Sequence, residues 1–137
     1  MSVKLNEQLV EQATEARLRA YSPYSEFQVG AALLTGSGGI FTGCNVENIS
    51  YGLTICAERV AAAAAVAAGE RNFTEMAIFA NSIEPIVPCG ACRQFLAEFN
   101  PDLRLTLATA SGVVEVIGLR ELLPHPRRGI LGTDADV

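Results

Sequence analysis

Three consecutive stretches constrain this chain's fold more than anything else in it. "EMAIFAN" (75–81) is a short apolar run. "CGACRQFLAEF" (89–99) has helical composition and follows Pro88, a residue suited to a first helical position. "LRLTLAT" (103–109) is a second apolar run. Strands joined through a helix imply parallel pairing, with helices laid on the faces of the sheet. Upstream, Leu5, Leu9, Ala13, Ala16 and Ala20 recur at helical spacing, and Pro23 in "YSPYS" breaks that helix. "FQVGAALLT" (27–35) and "IFTGCNV" (40–46) read as strands joined by "GSGG", a hairpin signal. Residues 56–68 are alanine-rich and predict a helix that stops at Gly69. "VVEVIG" (113–118) is a last strand and "LRELL" a short helix. The order α-β-β-α-β-α-β-β-α predicts an α/β fold, a three-layer α-β-α sandwich with a mixed sheet of about five strands.

With 137 residues, half of them apolar, the chain is expected to form a single domain over residues 1–137 with a real core. The tail from Gly129 carries no strong structural signal and is expected to be flexible. "VAAAAAVAAG" is too short and too rich in alanine for a membrane span. The first residues lack the apolar segment of a signal peptide, so a cytoplasmic location is expected. A net charge of −5 argues against binding long nucleic acid, which needs clustered Lys and Arg.

Four cysteines in such a compartment point to metal ligation or free thiols rather than disulfides. Cys89 and Cys92 are three apart in a first helical turn, so both thiols share a face. A helix N-terminus favours thiolate, and paired thiolates suit zinc. Alone, the C-x-x-C also permits a redox or purely structural role. "ICAERV" narrows the choice, placing Cys56 at another helix start with Glu58 two residues on. In a regular helix these side chains diverge by about 200°, but at a helix entry both can face one metal-bound water. Three protein ligands and a water make an open zinc site, and the carboxylate beside it can shuttle protons. A closed structural site would need Cys44 as fourth thiolate; its spacing from Cys56 is not that of a zinc knuckle, and a small buried thiol is the plainer reading. Arg59 and Arg93, each next to a site residue, are candidates to donate to a thiolate and drain its charge. Asn45 and Glu47, alternate residues of an expected strand, can bracket a sugar hydroxyl. Backbone groups at Ala57, where the helix begins, can meet a carbonyl of the ligand.

"CAE" followed by "PCGACRQ", with "YSPYSEFQVGAALLT" and "GCNVENISYG" in the same order, resembles the small zinc-dependent cytidine deaminases in their three-cysteine form. The resemblance runs from about Tyr21 to Pro124 and implies hydrolysis of cytidine and deoxycytidine to uridine, deoxyuridine and ammonia, a step of pyrimidine salvage. It implies one zinc per subunit on Cys56, Cys89 and Cys92, with Glu58 as acid/base, and favours Arg59 as the arginine that compensates the thiolates. Asn45 and Glu47 would hold the ribose, and Phe27 would lie beside the base. It further implies a homotetramer whose sites are completed by neighbours, with Tyr51 near an interface. One departure stands out. Where the family carries a phenylalanine that stacks on the base in a neighbouring subunit, this chain reads "ELLPHPRRGIL", whose one ring is His125. "IFTG" and "LRELLP" are also similar to blasticidin S deaminase, which leaves a modified cytosine nucleoside as the alternative substrate; a structural zinc module is the non-enzymatic one.

Overall fold

The computed structural model describes residues 6–128; Leu5 and the tail 129–137 lie outside them. The elements are α1 (Glu7–Ala16), β1 (Val29–Thr35), β2 (Ile40–Cys44), α2 (Ala57–Ala67), β3 (Phe73–Ala80), α3 (Gly90–Ala97), β4 (Arg104–Thr109), β5 (Val114–Gly118) and α4 (Leu119–Leu122). This is the expected succession. Asn6 opens α1, its side-chain oxygen accepting the Leu9 N–H at 3.1 Å, as a helix start requires. The sheet runs β2-β1-β3-β4-β5. Only β3 and β4, joined through α3, are parallel, with Ala77 opposite Thr106; the other three pairs are antiparallel.

Strand alternation splits the core in two. Leu9 and Ala13 of α1 pack with Ala32, Ala77 and Phe79 on one face. Ala57 and Ala61 of α2 and Leu96 of α3 pack with Ala31, Leu33, Met76 and Ile78 on the other. The expected three layers are therefore present. The buried alanines of α2 lie against the chain's own sheet, while Ala63 and Ala64 are exposed. Gly69, with φ +94°, ends α2 in the left-handed region, and the Glu70 N–H closes back on the Ala65 carbonyl at 2.9 Å.

One expected boundary is corrected. The second strand ends at Cys44 rather than Val46, because Val46 leaves the ladder to exchange backbone bonds with Ile55 at 2.9 Å. Its neighbours are held elsewhere, the Asn45 carbonyl by Tyr21 at 3.0 Å and the Glu47 N–H by the Tyr21 carbonyl at 2.8 Å.

Gly43 sets how closely α2 approaches the sheet. A Cβ there would come within 2.5 Å of the Ala57 carbonyl oxygen and the Ala61 nitrogen, both backbone atoms. Gly43→Ala is expected to destabilise the fold by about 1–3 kcal/mol, since helix or strand must move. A shift in the urea midpoint at unchanged slope measures this; an unchanged midpoint would mean that α2 yields freely.

Candidate metal centre and cleft

Two helices aim their N-termini at one point. Cys56 is the residue before α2 and Cys89 the residue before α3, both extended, with ψ 153° and 168°. Neither side chain caps its own helix. Their sulfurs instead lie 3.7 Å apart. Cys92, one turn into α3 and fully buried, brings the third sulfur, and all three lie within 4.8 Å of one another. Two thiolates on a tetrahedral zinc at about 2.3 Å each sit about 3.8 Å apart, so the donor set fits that ion. Cys44, at the end of β2, is not part of the cluster, so the closed four-thiolate arrangement is not formed.

The electrostatics favour thiolate at Cys56. A hydrogen bond from Cys92 draws its pKa down to about 5, opposed by burial and assisted by Arg59 and Cys89. Cys92 is pushed up, first by that bond and then by burial. Arg59 follows Cys56 by three residues, which places both on one side of the first turn. Its Nη2 donates to the Cys56 sulfur at 3.8 Å. Bonds to the Cys92 and Cys56 sulfurs hold the Arg59 guanidinium more firmly protonated than usual.

Glu58 is only 6% exposed, yet it lines a cleft of about 220 Å³ together with Cys56, Cys89, Ala57, Asn45 and Phe27. Burial pushes its carboxyl up to about 7, and the negative charge of Cys56 adds to the shift. The extended backbone at Cys56 is what lets residues 56 and 58 face the same space. Val29, Ile78, Ile86 and Val87 make the cleft wall apolar.

The two expected sugar-binding residues line adjoining spaces. Asn45 lines the cleft, but its amide also ties the chain together, accepting the Val29 N–H at 2.9 Å and donating to the Phe27 carbonyl at 2.7 Å. Glu47 lies in an adjoining pocket of about 390 Å³ with Tyr24, Ser25 and Tyr51; Thr54 lines both spaces. Its carboxylate accepts the Tyr24 N–H at 3.0 Å, the Ser25 N–H at 3.1 Å and the Ser25 hydroxyl. The hydroxyl bond is the main reason its pKa is lowered. Sequence reading missed Ser25 and Thr54. The serine's signal was its place after Pro23, where Ser side chains commonly hydrogen-bond locally. His125 is exposed and outside the sulfur cluster.

A buried acid beside three clustered cysteine sulfurs, with an open cleft in front, defines a zinc enzyme rather than a zinc-stapled module. The wider comparison gives the particular class. A family model described as "Cytidine and deoxycytidylate deaminase zinc-binding region" matches residues 3–107. The chain is 48% identical over 117 residues to the cytidine deaminase of Halalkalibacterium halodurans, covering 85% of this chain and 89% of that protein. It is similar to the crystal structure of cytidine deaminase from Burkholderia pseudomallei, with TM-score 0.85 and 48% identity over 88% of this chain and 98% of that one. For cytidine deaminase from Mycobacterium tuberculosis the TM-score is 0.76 at 38% identity, over 88% and 96% of the two chains. The chain belongs to the cytidine and deoxycytidylate deaminase family.

Proposed function

We propose that the protein is a zinc-dependent cytidine and deoxycytidine deaminase of pyrimidine salvage, acting in the cytoplasm as a homotetramer. The observation that carries the reading is Glu58, buried at the floor of a cleft whose wall includes Cys56 and Cys89. Zinc bound by Cys56, Cys89 and Cys92 would supply Lewis acidity, which makes water nucleophilic at neutral pH.

The remaining work falls to the chain's own groups. Glu58 takes one proton from the attacking water and gives it to the ring nitrogen next to the amino-bearing carbon. It then takes the second proton and delivers it to the amino group, which leaves as ammonia while the oxygen stays as the new carbonyl. The apolar wall, with the Phe27 ring, receives the base and excludes bulk water. Backbone N–H groups at the first turn of α2, beside Ala57, meet the base carbonyl, because a helix leaves its first N–H groups without intrahelical partners. Arg59 offsets the charge of the thiolates through its bond to Cys56.

Asn45 and Glu47 hold the sugar. The Asn45 amide nitrogen has two hydrogens, of which the Phe27 carbonyl takes one. Asn45→Ala is expected to raise KM for cytidine about tenfold, the worth of one hydrogen bond of about 1–1.5 kcal/mol. Initial-rate kinetics measure it, and an unchanged KM would remove Asn45 from the sugar site. Tetramer assembly is supported by the apolar side chains beside the Glu47 pocket: Ile49, Tyr51 and Leu53 are 80%, 74% and 65% exposed.

The deciding experiment follows ultraviolet absorbance on zinc-loaded protein given cytidine, deoxycytidine, cytosine and blasticidin S. Turnover of the two nucleosides supports the assignment. Turnover of blasticidin S alone would replace the substrate and keep the chemistry; turnover of none would overturn both.

A further inference from the structure

Arg93 stands directly after a zinc cysteine, yet its guanidinium turns to two backbone carbonyls. Nε donates to the Pro88 carbonyl at 2.8 Å and Nη1 to the Leu122 carbonyl at 3.3 Å. Its backbone N–H donates to the Cys89 carbonyl at 3.0 Å. The backbone bond is the ordinary helical one that any residue here would make; what arginine adds is the side-chain bond to the Pro88 carbonyl, in the peptide that leads into Cys89. That matters because Cys89 is the most exposed of the three clustered cysteines and has no side-chain cap bond to steady it. Pro88, by contrast, is fully buried, so a fixed anchor lies immediately before the exposed sulfur. The Leu122 carbonyl is the last of α4, one of the groups a helix end leaves without an intrahelical donor. Arg93 thus braces the turn carrying Cys89 against α4, at the far end of the chain from α2 and Cys56.

We infer that Arg93 is a positioning residue for the metal centre. It sets the orientation of the Cys89 sulfur through the Pro88 carbonyl, whereas Arg59 acts on the sulfur of Cys56 itself. The planar fork of arginine serves two carbonyls in fixed directions; a lysine ammonium, a single point of charge, does not reproduce that geometry. The adjacent Gln94 provides an internal contrast. Its Nε2 donates to the Pro126 carbonyl at 2.9 Å, so it links α3 to the same C-terminal segment without touching the Cys89 turn.

This inference rests on Cys89 being a zinc ligand, and the experiment separates the two. Zinc release to a chromophoric chelator is timed for the unaltered protein and for Cys89→Ala, Arg93→Lys, Arg93→Gln and Gln94→Ala. Each is also loaded with cobalt(II) to record the thiolate-to-metal charge-transfer band. Both Arg93 variants are expected to release zinc at least about tenfold faster, the lower end of what outer-shell partners contribute to metal affinity. They should also shift the cobalt band, while Gln94→Ala changes neither. Release at the original rate from folded Arg93 variants would overturn the inference. So would equal acceleration by Gln94→Ala, which would make the effect one of helix docking. If Arg93→Gln does not fold, Arg93→Lys alone carries the test. Zinc retained by Cys89→Ala would overturn the ligand assignment, and the inference with it.

Discussion

Glu58→Gln is expected to keep its zinc and its fold and to lose a factor of about 10²–10⁴ in kcat, the usual worth of a positioned acid/base group. Glutamine has the same shape and fits the same nearly closed space, where Glu58 is 6% exposed. It cannot accept and return a proton. Stability is not expected to fall, because burial already disfavours the charged carboxylate, as its raised pKa shows. Metal analysis, a melting curve and cytidine turnover on one preparation check the three parts together. Full turnover would end the proton-shuttle assignment. Loss of zinc with loss of turnover would recast Glu58 as part of the metal's support.

Much of this arrangement could be read from local pattern, and the failures are as local as the successes. The succession of helices and strands follows from short-range periodicity, and the parallel β3–β4 pair from the helix between them. Arg59 stands out in the sequence only as a neighbour of Glu58 and through the family resemblance; the structure gives its bond to Cys56, three residues back on the same helix. The strand expected to carry Asn45 and Glu47 stops short of both, although each still lines the opening. The strand ends at Cys44, and the two side chains then serve different partners, Asn45 the start of β1 and Glu47 the Ser25 turn. Arg93 shows the other kind of failure. Its partners are a carbonyl five residues back and another at the end of α4, and no spacing rule connects them. Contacts made through backbone carbonyls leave no residue type to recognise, so the Arg93 bonds were hidden while the cysteine cluster was plain.

Cys56→Ser is expected to separate the metal from the fold. The substitution replaces one of three sulfurs, the one that accepts from Arg59, with a hydroxyl. Zinc affinity should fall by more than the 10–100-fold that changes around a ligand produce, and turnover should fall to background. The same position begins α2, where cysteine makes no capping bond. Serine is among the preferred residues there and accepts an N–H of the first turn, a gain of about 0.5–1 kcal/mol. In metal-free protein the variant should therefore unfold at equal or higher denaturant than the unaltered chain, while binding no zinc. Zinc titration and paired urea curves of the metal-free forms test both halves. Cys44→Ser, which lies outside the cluster, should retain the metal. If Cys56→Ser still bound zinc tightly, Cys89 and Cys92 would have recruited a different third ligand, and the open three-thiolate site would have to be redrawn.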